Sequence, residues 1–173
     1  MNPLDPRRTA LVLIDLMPRI VALETAPLSG PEVLERSVAL AAATRSAGGL
    51  VVPVRVERPG VDVQPEGSGF APEAAPLPGD LEIVKRAVGA FGRSPLDAEL
   101  QSRGIVNVVL TGIATNFGVE STGREASDLG YETFFVTDAM TGLDGHAHDF
   151  AVSYVFPRLG AVCTAAEYEA ALG

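Results

Sequence analysis

Short runs of β-branched and other apolar residues alternate along this chain with longer segments rich in Ala, Leu and Glu. That alternation restricts the fold more than any other feature, because strands separated by helical segments build a parallel α/β sheet. The strand-like runs are Ala10–Ile14, Leu50–Val56, Leu81–Lys85, Ile105–Leu110, Tyr131–Thr137 and Ala161–Cys163. Helices are predicted from Pro31 to Ser46 behind Ser29, from Ser94 to Arg103, from Asn116 to Leu129, over Ala147–Phe156 and after Thr164. Gly48, Gly104 and Gly130 act as stops, and Thr164 to Glu167 reads as a capping box. Residues 57–80 are rich in Pro, Gly and Ala without periodicity, and a loop of that length inside a compact domain is usually functional or disordered. No internal repeat, linker or low-complexity tract interrupts the pattern. The expectation is one domain over residues 1–173, with a three-layer, doubly wound, six-stranded and mainly parallel α/β sheet.

Ligands of an open parallel sheet bind outside the carboxyl ends of its strands, so the polar residues that close the apolar runs are the candidates. Asp15 closes the first run, Arg55 to Arg58 the second, Lys85 the third, Thr111 to Gly118 the fourth and Asp138 the fifth. Apolar neighbours on both sides of Asp15 favour desolvation, which raises a carboxyl pKa unless a cation compensates. An Asp capping the turn after a strand is an equally good reading, and a solvated strand-end lysine is the commoner fate of a residue like Lys85. Together the two residues would form an acid–base pair. The stretch from Thr111 to Glu120 passes from strand to helix through small residues, an arrangement that places backbone N–H groups where an anion can bind. An ordinary tight turn capped by Thr115 or Asn116 explains it as well.

Composition narrows the chemistry. The 173 residues carry 13 Lys+Arg against 22 Asp+Glu, a formal charge of −9, and Lys85 is the sole lysine. Any lysine-dependent step therefore falls to Lys85. Clustered cations are lacking, so nucleic acid is not an expected partner. One cysteine, Cys163, excludes an internal disulfide or a Cys-rich zinc site. The two histidines, His146 and His148, cannot alone close a three-histidine site and read as capping or interface residues. No metal or other cofactor is expected. No apolar run approaches the ~20 residues that cross a bilayer, and no signal-peptide pattern opens the chain. The expected setting is the cytoplasm, without membrane association.

Taken together, Leu-Val-Leu-Ile-Asp15-Leu-Met, Val-Lys85-Arg-Ala-Val-Gly-Ala-Phe91, Thr-Gly112-Ile-Ala-Thr-Asn-Phe-Gly118-Val119, Asp138-Ala-Met140 and His148 resemble the isochorismatase-like hydrolase superfamily, also called the cysteine hydrolases. The resemblance runs from about Thr9 to Leu172. It implies that Asp15 is the catalytic aspartate and Lys85 the catalytic lysine, and that the Ile113–Ala114 bond is cis and turns backbone N–H groups toward the substrate. It also makes Phe91 a pocket-lining residue and Thr115 and Phe117 substrate contacts. The family's amidases have a nucleophilic Cys at the position of Gly118, so a thioester intermediate is not available here. Several isochorismatases also have Gly there, and their cleavage of a vinyl ether needs an acid rather than a nucleophile.

The resemblance therefore implies a Cys-independent hydrolase of a small carboxylated substrate. In this reading Asp15 delivers a proton, Lys85 holds a carboxylate or the ether oxygen, and Arg58 binds a second carboxylate. A solvated loop arginine accounts for Arg58 equally well. The stretch Ala114-Thr115-Asn116-Phe117 departs from the aromatic-plus-His pattern usual for isochorismate itself. The histidines that hold metal in nicotinamidase-like relatives have no counterpart in residues 57–80. The alternative function is a degenerate member that binds a metabolite without turnover, and direct attack by water on an amide ranks below both. Family members commonly form dimers or tetramers, so a homo-oligomer is expected, with Phe134–Phe135 and Tyr154–Phe156 as interface or core segments.

Overall fold

A computed structural model describes residues 2–173. Its sheet has six strands, all parallel, in the order β3-β2-β1-β4-β5-β6. The strands are β1 (Thr9–Ile14), β2 (Leu50–Val56), β3 (Ile83–Lys85), β4 (Asn107–Ile113), β5 (Glu132–Thr141) and β6 (Ala161–Cys163). The chain starts in the middle, runs to one edge through β2 and β3, then crosses back beside β1 with β4. The switch point, where strand order reverses, thus falls between β1 and β4, where the loops diverge and leave room for a ligand.

Every residue of β1 is buried, as its unbroken apolar run requires. Its side chains alternate between two cores. Ala10, Val12 and Ile14 pack with Leu96, Leu100, Val119, Ala126 and Phe156 on one face. Leu11 and Leu13 pack with Val33, Leu40, Ala41, Tyr168 and Leu172 on the other. The first face is covered by α3 (Leu96–Ser102), α4 (Glu120–Asp128) and the helical turns from Gly145 to Arg158. The second is covered by α2 (Gly30–Ser46) and α6 (Ala165–Leu172), whose contact buries a Thr44–Tyr168 hydroxyl hydrogen bond of 2.8 Å. Both long-range helices begin in reciprocal capping boxes, Ser29–Glu32 and Thr164–Glu167, which satisfy backbone donors that no intrahelical carbonyl reaches.

Several segments depart from their sequence-based bounds. A one-turn helix, α1 (Pro18–Val21), follows β1 where none is predicted. β5 does not stop at Thr137 but continues to Thr141, because Ala139 and Met140 are apolar and buried. Its register against β4 shifts between Leu110↔Phe135 and Gly112↔Met140, so residues 136–139 bulge out of the ladder. The bulge removes Asp138 from the strand-end row. Its carboxylate instead accepts from the Ala165 N–H at 2.7 Å and its carbonyl from Arg36 at 2.7 Å, anchoring α6 and α2. The predicted helix over Ala147–Phe156 is α5 (Gly145–Phe150), then a π turn (Ala151–Val155) and a 3₁₀ turn (Phe156–Arg158) that holds Pro157.

Residues 57–80 contain one 3₁₀ turn, Pro72–Ala74, yet the segment is tied down at intervals. Ala71 N–H donates to Leu16 O, Arg19 N–H to Gly67 O and Glu57 N–H to Lys85 O. Its end is held by a bidentate pair, with Arg45 donating to both oxygens of Asp80 at 3.0 and 2.8 Å. Among the described residues no helix is long and apolar enough to cross a membrane.

Candidate active site

Strand order brings Asp15 and Lys85 within reach of each other. Asp15 follows β1 and Lys85 ends β3, with β2 between them, so their backbones are about 9.6 Å apart at ~4.8 Å per strand. A four-carbon stem closes that gap: Lys85 Nζ lies 2.8 Å from Asp15 Oδ2 and donates to Val88 O at 2.6 Å. Lys85 is 1% and Asp15 8% exposed. Asp15 has φ 52°, a left-handed conformation that Asp and Asn enter more readily than other side-chain-bearing residues. Its N–H donates to Val54 O at 3.0 Å and its carbonyl accepts from Met17 N–H at 2.8 Å, which fixes the turn that aims the carboxyl at the strand ends. Asp15 Oδ1 is buried without a hydrogen-bond partner.

Burial is the dominant influence on Asp15 and raises its pKa above 3.8, while the Lys85 charge and hydrogen bond, then Arg19, act in the opposite direction.

Gly118 faces the pair directly. A Cβ at this position would stand 2.9 Å from Ile14 Cγ2, 3.1 Å from Lys85 Nζ and 3.2 Å from Asp15 Oδ2. The two charged groups and Ile14 have closed onto the helix backbone, and a side chain fits only if one of them moves. Gly112 serves a related need one turn earlier. Its φ is 114°, and a Cβ there would be 2.2 Å from Ile14 O, so β4 lies against β1 at the switch point only as glycine. The Ile113–Ala114 peptide bond that follows is cis, and it delivers the chain into a π turn (Thr115–Val119) that continues as α4.

These groups form the floor of a cleft of about 460 Å³, lined by Asp15, Lys85, Gly118, Ile113, Ala114 and Phe117 together with Ile20, Leu23, Val56, Pro59, Ala87, Val88 and Leu143. Glu57, Arg58 and Arg86 complete the lining. The fold thus gathers Asp15, Lys85, Gly118, Arg58, Ile113, Ala114 and Phe117 in one place. Two of the anticipated contacts lie elsewhere. Phe91 is outside the lining and packs half-buried against the core and Tyr131, ring centres 5.6 Å apart, with its N–H held by Glu125 at 3.0 Å. Thr115 is fully buried and its hydroxyl shares a 2.8 Å hydrogen bond with His148 Nδ1. His148 is therefore neither a helix cap nor an interface residue. It is a buried support beneath the turn, and burial lowers its pKa from 6.5. Asp144 is the cap of that helix, and His146 is exposed.

Val88, whose carbonyl fixes Lys85, falls within the Lys85–Phe91 motif but is not singled out by it, and the apolar wall formed by Leu23 and Leu143 has no signal in the sequence, since both come from segments without a motif. Cys163 ends the opposite edge strand, five strand spacings or roughly 24 Å from β3. Its thiol is pushed up to about 12 by burial, with Glu167 and Asp138 adding to the effect.

A doubly wound parallel sheet with a buried Asp–Lys pair beside a cis peptide at its switch point defines an α/β protein with the isochorismatase-like architecture. Residues 9–167 match the Isochorismatase domain. The chain is 37% identical over 182 residues to the isochorismatase family protein YwoC of Bacillus subtilis, covering 95% of this chain and 94% of that one. An isochorismatase family protein from Burkholderia thailandensis superposes with a TM-score of 0.90 at 40% identity, covering 99% of this chain and 98% of the other. A shorter match, 44% identity over 82 residues, links 47% of the chain to 32% of the ureidoacrylate amidohydrolase RutB of Variovorax paradoxus. The chain belongs to the isochorismatase family of hydrolases.

Proposed function

We propose that this protein is a Cys-independent hydrolase in which the Asp15–Lys85 pair moves the proton and water is the nucleophile. The observation that supports this reading is the make-up of the cleft: its buried ionisable groups are Asp15 and Lys85, and its lining includes no Cys, Ser, Thr, His or Tyr. Nucleophilic catalysis by a thiol, hydroxyl or imidazole needs such a side chain within reach of the substrate, whereas general acid catalysis needs a carboxyl whose pKa is raised toward the working pH. Burial raises that of Asp15.

Cleavage of a vinyl ether suits such a site. Asp15 gives its proton to the terminal methylene carbon, and the ether oxygen and its carbon take up the resulting positive charge. Water adds to that carbon and returns a proton to Asp15. The hemiketal hydroxyl gives up its proton to the ether oxygen as the carbon–oxygen bond breaks, which releases an alcohol and a 2-oxo acid. Lys85, held by Val88 O, orients the Asp15 carboxyl throughout. The activity in the name of RutB is hydrolysis of an amide, and the resemblance assigns that chemistry in the family to a Cys at the position of Gly118.

Pyruvate release from enolpyruvyl ethers that carry a single carboxylate tests the proposal in wild type and Asp15→Asn. Release by wild type with loss of roughly 10²-fold or more in the variant is expected. Equal rates in the two proteins would remove Asp15 from the chemistry. Saturable binding of such ethers with no pyruvate from any of them would make the protein a binder.

A further inference from the structure

The charged side chains that line the cleft are almost all paired. Asp15 and Lys85 neutralise each other at 2.8 Å. Glu57 accepts from Arg55 at 2.9 Å through one oxygen and from Arg86 at 2.6 Å through the other, and Arg55 also faces Glu82 at 3.9 Å, so two arginines meet two glutamates. Arg58 is different. Its backbone is clamped by Gln64, which accepts from Arg58 N–H at 2.8 Å and donates to Arg58 O at 3.0 Å, yet its guanidinium has no carboxylate partner among the described residues. It stands at the rim of the cleft, exposed, on a fixed backbone.

Between Arg58 and the buried pair the walls are apolar. Leu23, Val88, Phe117 and Leu143 line the cleft, and all four belong to the large apolar side chains that remain exposed, Val88 at 57% and Phe117 at 55%. Scattered apolar residues at a surface mean little, but four that converge on one concavity above a buried ionisable pair mark a ligand surface.

We infer that the substrate is an apolar monoanion: a body that covers Leu23, Val88, Phe117 and Leu143, with a single carboxylate at Arg58. A second carboxylate would enter an apolar cleft whose lining holds no other unpaired cation, since Lys85 and Arg86 are both matched, and burying an unpaired charge is costly. The cleft therefore selects against diacids, and Arg58 binds the substrate's one acid rather than a second. The inference rests on reading this cleft as the active site, though not on turnover.

Calorimetric titration of the wild-type protein tests it with four probes: phenylacetate, its neutral analogue phenylacetamide, the diacid phenylmalonate and acetate. Phenylacetate is expected to bind at least about tenfold more tightly than the other three, about 1.4 kcal/mol. In Arg58→Gln its affinity should fall to that of phenylacetamide, which itself stays unchanged. In Phe117→Ser, at an exposed position, phenylacetate should weaken while acetate does not. Tighter binding of phenylmalonate, an unchanged phenylacetate affinity in Arg58→Gln, or no saturable binding of phenylacetate would each overturn the inference. Since the readout is heat of binding, lost turnover in Asp15→Asn bears on the proposed reaction alone.

Discussion

Lys85 reaches across β2 to place its ammonium 2.8 Å from Asp15, and both groups rest against the bare α-carbon of Gly118. Isolated in a protein interior, either charge would be unfavourable by several kcal/mol, and pairing offsets much of that cost. The relationship has consequences that solution measurements can read.

Replacing Lys85 with Met removes the largest influence opposing burial at Asp15. NMR of the Asp15 carboxyl carbon should show a pKa above 3.8 in wild type and a still higher one in Lys85→Met. A lower value in the variant would contradict the pairing. Hydrolytic activity should fall roughly 10²–10⁴-fold.

Gly118→Ala should destabilise the fold by about 1–3 kcal/mol in chemical denaturation, the usual cost of overpacking, because its Cβ would meet Ile14 at 2.9 Å and both charged groups. Gly118→Cys should pay a similar penalty and gain no thiol-dependent activity. A stable Cys variant that forms an acyl-enzyme would show that Ile14 and the charged pair can open around a side chain.

His148 is buried and its pKa is lowered by that burial. The folded protein then binds fewer protons than the unfolded chain between the lowered value and 6.5, so stability rises with pH across that window and is lost as pH falls through it. Thermal unfolding between pH 8 and 5 should show that slope in wild type, and it should shrink in His148→Gln. Thr115→Val leaves the imidazole unpartnered at Nδ1 and should cost about 1–3 kcal/mol. A Thr115→Val protein as stable as wild type would mean that the bond contributes nothing.

Asp80 closes the segment 57–80 by receiving both Arg45 bonds and the Leu77 N–H, with its side chain 3% exposed. Asp80→Ala should cost about 2 kcal/mol. Hydrogen exchange should speed up through residues 71–81 first, and unchanged protection there would argue against the tether.

Cys163, with its thiol pushed up to about 12, should resist alkylation in the native protein at pH 8 and react only on unfolding. Cys163→Ala should keep full activity. Loss of turnover in that variant with the fold intact would place the thiol in the mechanism after all.

How far the sequence reached differs from element to element. The buried runs of β1 and β2 and the capping boxes at Ser29 and Thr164 were legible because their causes are local. A helix start is decided within four residues, and an all-apolar run has to be covered on both sides. Asp15, Lys85 and the Gly118 turn were legible too, since polar residues that interrupt apolar runs mark the strand ends.

Phe91, Thr115 and Asp138 were misplaced for a common reason. A side chain's direction at a strand end depends on the neighbour that captures its backbone or its polar atom. For these three the captors are Glu125, His148 and the Ala165 N–H, which lie 34, 33 and 27 positions further along the chain. The bulge in β5 that turns Asp138 away is a register choice between two strands, invisible in either one alone.

The sequence by itself thus determined the layers, the ends at which chemistry must sit and the supply of ionisable groups: one lysine, one aspartate after β1 and no thiol at 118. Only the tertiary structure decided that Lys85 crosses β2 to meet Asp15, that Ile14 and the pair close over Gly118, and that Arg58 is the unmatched cation in the lining of an apolar cleft. Periodicity and capping act between near neighbours along the chain, whereas charge pairing and cleft shape depend on which strands lie side by side.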